Sequence, residues 1–217
     1  MAKTPSQRIK KHGAKAAVPQ HHLPPVINPS TSRTPQKAQN NGNLIVIAGV
    51  VASLFLFWYL HLLTLNQFTQ LSGGLAMPDS MVGGFDQGYV ERLRAAMDGD
   101  ARGQLNYVHR TAGILFPLIF AFSWLLLIGT NVVRKPLRWA LWSVPLLFAV
   151  VRLWGNAAID AMMAADTVDA GQVALASGLT AAGWVLLVLN LIAGGAAVFL
   201  SRRRASSAAP AAGQTRA

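Results

Sequence analysis

Leu44–Leu65 reads LIVIAGVVASLFLFWYLHLLTL, a stretch of 22 residues with no formal charge when His61 is neutral. At 1.5 Å rise per residue a helix of that length covers about 33 Å, enough for the hydrocarbon core of a bilayer. Three more stretches of the same kind follow. Thr111–Thr130 (TAGILFPLIFAFSWLLLIGT) carries no charge, and Trp139–Ile159 (WALWSVPLLFAVVRLWGNAAI) holds Arg152, Asn156 and Pro145. Ser177–Leu200 (SGLTAAGWVLLVLNLIAGGAAVFL) is rich in small residues and ends against Arg202-Arg203-Arg204. Any one alone reads equally as a buried helix of a soluble protein. Four at this length, joined by short polar pieces, read as an all-α membrane protein with four transmembrane helices in a bundle.

The polar pieces between them are sorted by charge. All the acidic residues lie in 66–110 (Asp79, Asp86, Glu91, Asp98, Asp100) and 160–176 (Asp160, Asp166, Asp169). The other pieces are basic: seven Lys/Arg in 1–43, three in 131–138 and four in 201–217, with no carboxylate side chain among them. Basic residues gather in the loops that stay cytoplasmic, so both termini and the 131–138 turn are expected inside and the acidic segments outside. The expected location is a bacterial plasma (inner) membrane. The 43 residues before the first span are too long and too polar for the n-region of a cleaved signal peptide, and that span reads as an uncleaved signal anchor.

Composition agrees. Over 217 residues the chain is 53% apolar, with mean hydropathy +0.37. Its net charge of +11 and pI near 11.1 would suit nucleic-acid binding, but no nucleic-acid-binding motif is present and the membrane accounts for the charge, so nucleic acid is not an expected partner. The absence of Cys removes disulfides, thiolate metal sites and cysteine nucleophiles. Residues 1–43 are basic and proline-rich, without aromatics, and residues 201–217 are low-complexity. Both are expected to be disordered cytoplasmic tails flanking a membrane domain at 44–200.

The segment 66–110 is expected to form a short extracytoplasmic helical lid. Leu71–Asp79 is rich in turn formers. Asp86 is placed to N-cap a helix, with Phe85 and Val90 as a hydrophobic staple across it. Phe85, Tyr89, Leu93 and Met97 then fall on one apolar stripe. Asp98-Gly99-Asp100 stops that helix as a turn rather than a metal pair, and Asp100 is expected to cap a second helix running through Tyr107 and His109 into the second span.

Ionisable groups inside spans are candidate sites by default. Arg152, Asn156 and Asp160 lie at spacing four on one face of the third span. Counted from the span ends, Arg152 sits about 20 Å and His61 about 25 Å from the inner edge. His61, Arg152 and Asn156 are therefore the candidate substrate-binding set in the outer half of the bundle, with His109 and Arg110 just above. The competing structural reading has Arg152 snorkelling to headgroups or tied to Asp160. His61 and His109 also admit a weaker reading as paired haem ligands. Asn190 is expected to bond across helices, and Gly178, Gly183, Gly194 and Gly195 to mark close packing. Pro117 and Pro145 are expected to perturb their spans. No catalytic residue, cofactor or metal site is assigned, because no nucleophile–base pair, phosphate loop or dinucleotide fingerprint occurs.

Pro78-Asp79, Gly84-Phe85, the Gly-rich turn Asp98–Gly103, Tyr107 and Phe116-Pro117 follow one another as in a family of small four-span bacterial membrane proteins, which the chain resembles over about residues 71–156. The resemblance implies a fold and a bacterial host and no activity. Family members carry a carboxylate shortly before Phe-Pro and an Asp-x-x-Glu-Asn pattern in the third span. Here Gly113 stands at the first place, and Arg152, Gly155 and Asn156 at the second.

The expected function is that of a non-enzymatic accessory or scaffold component of a membrane complex, its partners being the lipid bilayer and other membrane proteins or a second copy of itself. The alternative is a small-molecule- or lipid-handling protein, such as a transporter component, with a polar site in the outer half of the bundle.

Overall fold

In the computed structural model the described residues are Lys10 and residues 35–208. The rest of the expected tails, 1–34 apart from Lys10 and 209–217, lies outside them. No strand occurs among the described residues. Helix α1 spans Pro35–Phe57, passes into a π-helix at Trp58–Thr64 and continues as α2, Leu65–Leu71. A 3-10 turn at Pro78–Ser80 precedes α3 (Gln87–Ala96) and α4 (Gly99–Arg110). Then follow α5 (Ala112–Asn131), α6 (Lys135–Ala164) and α7 (Ala170–Ala208).

Four helical stretches are long and apolar enough to cross a membrane: Gly42–Leu71, Gly99–Asn131, Lys135–Ala164 and Ala170–Arg204. They contain the four expected spans, lengthened at most ends because helices continue past the hydrocarbon into the polar flanks. For that reason the inner ends of the two expected tails, 35–43 and 201–208, are helical. The chain is thus an all-helical, multi-pass membrane protein with the expected four spans.

Spans two, three and four form the packed body, with α6 lying between extensive contacts to α5 and α7. The first span is peripheral: 17% of its apolar window is buried, against 50% for the second. Gly49 brings it close to Ser123, and Phe57 meets Phe116 and Trp184 at ring-centroid distances of 5.9 and 6.3 Å.

The segment between the first two spans folds over one end of the body. Asp86 caps α3 by accepting from the Tyr89 N–H at 2.7 Å, as its position predicts. Val90, Leu93 and Met97 are buried against Leu65, Phe68, Leu105, Ile159 and Met162. Phe85 and Tyr89 flank that cluster, so the predicted stripe is the packed face. One cap differs. Asp98, not Asp100, caps α4, accepting from the Ala101 N–H at 2.7 Å, and Asp100 lies in the first turn. The glycine between them starts the helix instead of separating it from its cap.

Polar contacts fasten this lid. The Phe85 N–H donates to Ser177 Oγ at 2.8 Å, and Arg94 donates to the Ala165 carbonyl. Gly84 adopts φ +80°, a left-handed conformation that suits glycine, and a Cβ there would meet Ser177 Oγ at 2.5 Å. The Tyr89 hydroxyl donates to the Ala76 carbonyl at 2.7 Å, and burial pushes the phenol's pKa above its ordinary value.

Candidate functional site at the lid end

The 3-10 turn at Pro78–Ser80 delivers Asp79 inward, where it is 2% exposed. Its backbone carbonyl accepts from Trp184 Nε1 of α7 at 3.0 Å. One carboxylate oxygen lies 3.0 Å from His109 Nε2, and the other 3.6 Å from Arg152 Nη2. The second distance makes an ion pair rather than a direct hydrogen bond. On the other side of the imidazole, His109 Nδ1 lies 2.5 Å from Asp160 Oδ1, while Asn106 Nδ2 donates to Asp160 Oδ2 at 2.7 Å. The result is a continuous chain, Arg152–Asp79–His109–Asp160–Asn106, drawn from the lid turn, α4 and α6.

A neutral imidazole offers one N–H, whereas two carboxylates face the two ring nitrogens of His109. Only the imidazolium satisfies both. With His109 and Arg152 cationic and Asp79 and Asp160 anionic, the formal charges cancel within the cluster. That cancellation matters because an uncompensated charge in this water-poor setting costs several kcal/mol. Burial alone would push the Asp79 carboxyl up. The charge and hydrogen bond of His109, then the charge of Arg152, outweigh it and hold the carboxyl well below the usual carboxylate range.

Local sequence makes room for the cluster. A Cβ on Gly183 would stand 2.8 Å from Arg152 Cδ, so the bare helix surface there passes the arginine's stem. Pro117 has no N–H to give the Gly113 carbonyl one turn back. Asn156 Nδ2 supplies the missing donor at 2.8 Å, and a Cβ on Gly113 would stand 2.7 Å from that nitrogen. Residue 113 is therefore small because the asparagine amide occupies the space.

Arg152, Asn156 and Asp160 do share one inward face of α6. The two structural alternatives for Arg152 give way: at 6% exposed it does not reach headgroups, and Asp160 is engaged by His109 and Asn106 while Arg152 pairs with Asp79. His61 comes near without joining. It sits in the π-helix, stacked on Phe57 at 4.7 Å and edge-on to Trp184 at 5.3 Å. It lies within electrostatic reach of Arg152 and Asp79, and among the described residues its buried Nδ1 has no hydrogen-bond partner. A haem-ligand pair of His61 and His109 fits poorly, because carboxylates occupy both nitrogens of His109.

Sequence reasoning missed Asp79 as the partner of Arg152. A signal existed: a span arginine needs a counter-charge, and the other carboxylates of 66–110 had local duties as caps, turn formers or members of a polar helix face. The π-helix left no trace in hydropathy. Elsewhere, Gly183 and Gly194 pack closely, the latter against Trp124 Nε1, whereas Gly178 and Gly195 have open space where a Cβ would lie.

The cluster borders a cleft of about 400 Å³ between α4, α5 and α6. Asn106, His109, Arg110, Asn156 and Asp160 give its polar lining, and Ile114, Leu153, Ala157, Ala161 and Ala164 its apolar lining. Such a site can hold a polar group against hydrogen-bonding side chains while an apolar part lies along the helices. Comparison with protein-family models, curated proteins and solved structures finds no match. Within the molecule itself, the fold and the cluster define a multi-pass membrane protein with a buried ionic site beneath a helical lid.

Proposed function

We propose that this chain is a small-molecule- or lipid-handling membrane protein, of the kind that serves as a transporter component, working at the lid end of the bundle. The observation that carries this reading is the charge-balanced chain from Arg152 to Asn106, with His109, Asn156 and Asp160 reaching an open amphipathic cleft. Buried ion pairs contribute little net stability compared with apolar packing, so a four-charge cluster at a cleft is better explained by binding than by folding. His61, Arg152 and Asn156 are its proposed site residues: Asn156 as a member of the cleft wall, Arg152 as the buried counter-charge of Asp79 behind it, and His61 as a buried imidazole beside the cluster. The charge sorting of the polar pieces supports a plasma-membrane protein with both termini cytoplasmic and the lid outside. The motif resemblance supports a bacterial host and membership of the small four-span family.

The second reading, a scaffold component that packs against another membrane protein or a second copy, is favoured by one feature. The first span leaves Leu44, Ile47, Val51, Leu54, Phe55 and Leu62 exposed along its length. Purification in mild detergent followed by mass spectrometry separates the two. The site reading expects wild type to carry a bound small molecule or lipid that His109→Gln and Arg152→Leu lose while helicity is kept. A wild type without such a ligand, with a protein subunit that co-purifies equally with all three, would establish the scaffold reading instead.

A further inference from the structure

The cleft beside the cluster continues upward. A second cleft, of about 410 Å³, shares Asn106, Arg110, Asp160 and Ala164 with the first and adds Arg102, Gly103 and Met163. Together they form one groove along the α4–α6 seam. On α6 it runs from Leu153 to Ala164, a rise of about 16 Å at helical spacing. Its apolar lining lies open on the outside of the bundle: Ala157 and Ala161 are exposed, and Ile114 is 39% exposed. Its α4 side carries two guanidinium groups, Arg102 in the upper cleft and Arg110 where the two clefts meet.

Arg102 and Arg110 stand eight residues apart on one helix, about 12 Å along its axis. Among the described residues neither takes part in an ion pair. Arg102 gives its Nε to the Asp98 carbonyl at 3.3 Å, which leaves the terminal nitrogens of its fork for another acceptor. The carboxylate that lines both clefts, Asp160, is already engaged by Asn106 and His109. Asp98 is engaged at the α4 cap. The α4 side of the groove thus has positive charge in excess of its own acceptors beside an apolar trough.

We infer that the groove binds an anionic glycerophospholipid of the lid-side leaflet, its phosphodiester between Arg102 and Arg110 and one acyl chain along Ile114, Leu153 and Ala157. This rests on the proposed ligand-handling site and names its ligand class. The charge is complementary, guanidinium forks match phosphate oxygens, and a wall that ends in the hydrocarbon suits an acyl chain rather than a soluble anion.

The test is a titration of the full-length protein in neutral detergent, following its thermal midpoint and its lipid-bound fraction by native mass spectrometry. The probes are dioleoyl phosphatidylglycerol, dioleoyl phosphatidylcholine and inorganic phosphate. Phosphatidylglycerol is expected to bind and raise the midpoint, with the other two giving little. At about 1 kcal/mol per arginine, Arg102→Gln or Arg110→Gln should weaken it about fivefold, and the pair about 25-fold. Ala157→Phe, which fills the trough without altering charge, should also weaken it. Equal binding of phosphatidylcholine, equal protection by inorganic phosphate, or indifference to both arginine changes would overturn the assignment. The underlying site fails separately. If His109→Gln abolishes binding of another amphiphile while phosphatidylglycerol is ignored, the site stands and its anionic ligand falls.

Discussion

The two ends of the bundle are held together by different physics. At the lid end, Asp79, His109, Asp160 and Arg152 form a directional network in which each group needs its neighbour's charge. Toward the opposite end the body is a ladder of rings: Phe120 stacks on Trp124 at 4.1 Å, and Phe148 meets Phe120 at 4.9 Å and Phe116 edge-on at 6.0 Å. Some polar groups there join helices, while others bond within their own, as Asn190 Nδ2 does to the Leu186 carbonyl at 2.8 Å. Trp124 Nε1 donates to the Asn190 carbonyl at 2.6 Å, Trp142 Nε1 donates to the Leu125 carbonyl at 3.0 Å, and Asn190 Nδ2 lies 3.5 Å from the Val144 carbonyl. Dispersion between rings is short-ranged and indifferent to protonation, whereas a charge network fails when one member changes its charge. One end should therefore respond to pH and to single charge deletions, and the other should not.

The largest effect should come from breaking the network at its centre. Asp79→Ala leaves Arg152 and His109 without their shared counter-charge and should cost about 3–5 kcal/mol. Thermal unfolding in detergent measures it, and adding Arg152→Leu should recover part of the loss, because the stranded charge is then gone. The same residue sets an acid limit. Its folded pKa is depressed below the ordinary 3.8, so its stabilisation is complete above that value and is lost as pH falls below it toward the folded value. A wild-type midpoint that stays flat down through this range, or an Asp79→Asn variant that keeps the same acid limb, would contradict the assignment.

Gly183→Ala tests the space that the network needs. The new methyl would press on Arg152 Cδ, with an expected cost of about 1–3 kcal/mol. Gly178→Ala on the same helix meets nothing within 4 Å and should be neutral or gain up to about 1 kcal/mol from helix propensity. Equal effects of the two changes would remove the steric argument.

At the ring end, Phe148→Leu nearly conserves volume and should cost less than about 1.5 kcal/mol. Its cost should be the same at pH 2 and pH 7, whereas the cost of Asp79→Ala should shrink at pH 2, below the ordinary carboxylate value, which is the sharpest contrast between the two ends. The smallest effect concerns the cap. Asp98→Ala should cost about 1 kcal/mol and Asp100→Ala less than about 0.5. Comparing their unfolding midpoints checks which aspartate starts α4.

The four spans were legible because hydropathy over some twenty residues is a local property that the bilayer reads directly. The α3 cap and its packed stripe were legible for the same reason, since Asp86 and the spacing from Phe85 to Met97 act within a few turns. The shared face of Arg152, Asn156 and Asp160 followed from helical geometry. What each residue on that face touches did not. Arg152 looked outward to headgroups or along its own helix to Asp160, and its partner came instead from a turn 73 positions earlier in the chain.

By itself, then, the order of residues determined how many times this chain crosses a membrane, where the lid helix lies and which side chains carry charge at depth. Only the tertiary structure decided that Asp79 closes the circuit between His109 and Arg152, that Asn156 serves the carbonyl freed by Pro117, and that His61 stays beside the cluster on a π-helical turn. The reason is range. Burial and capping are settled within one helix, but a buried charge is satisfied by whichever opposite group the packing brings within a few ångströms, and no local pattern specifies that.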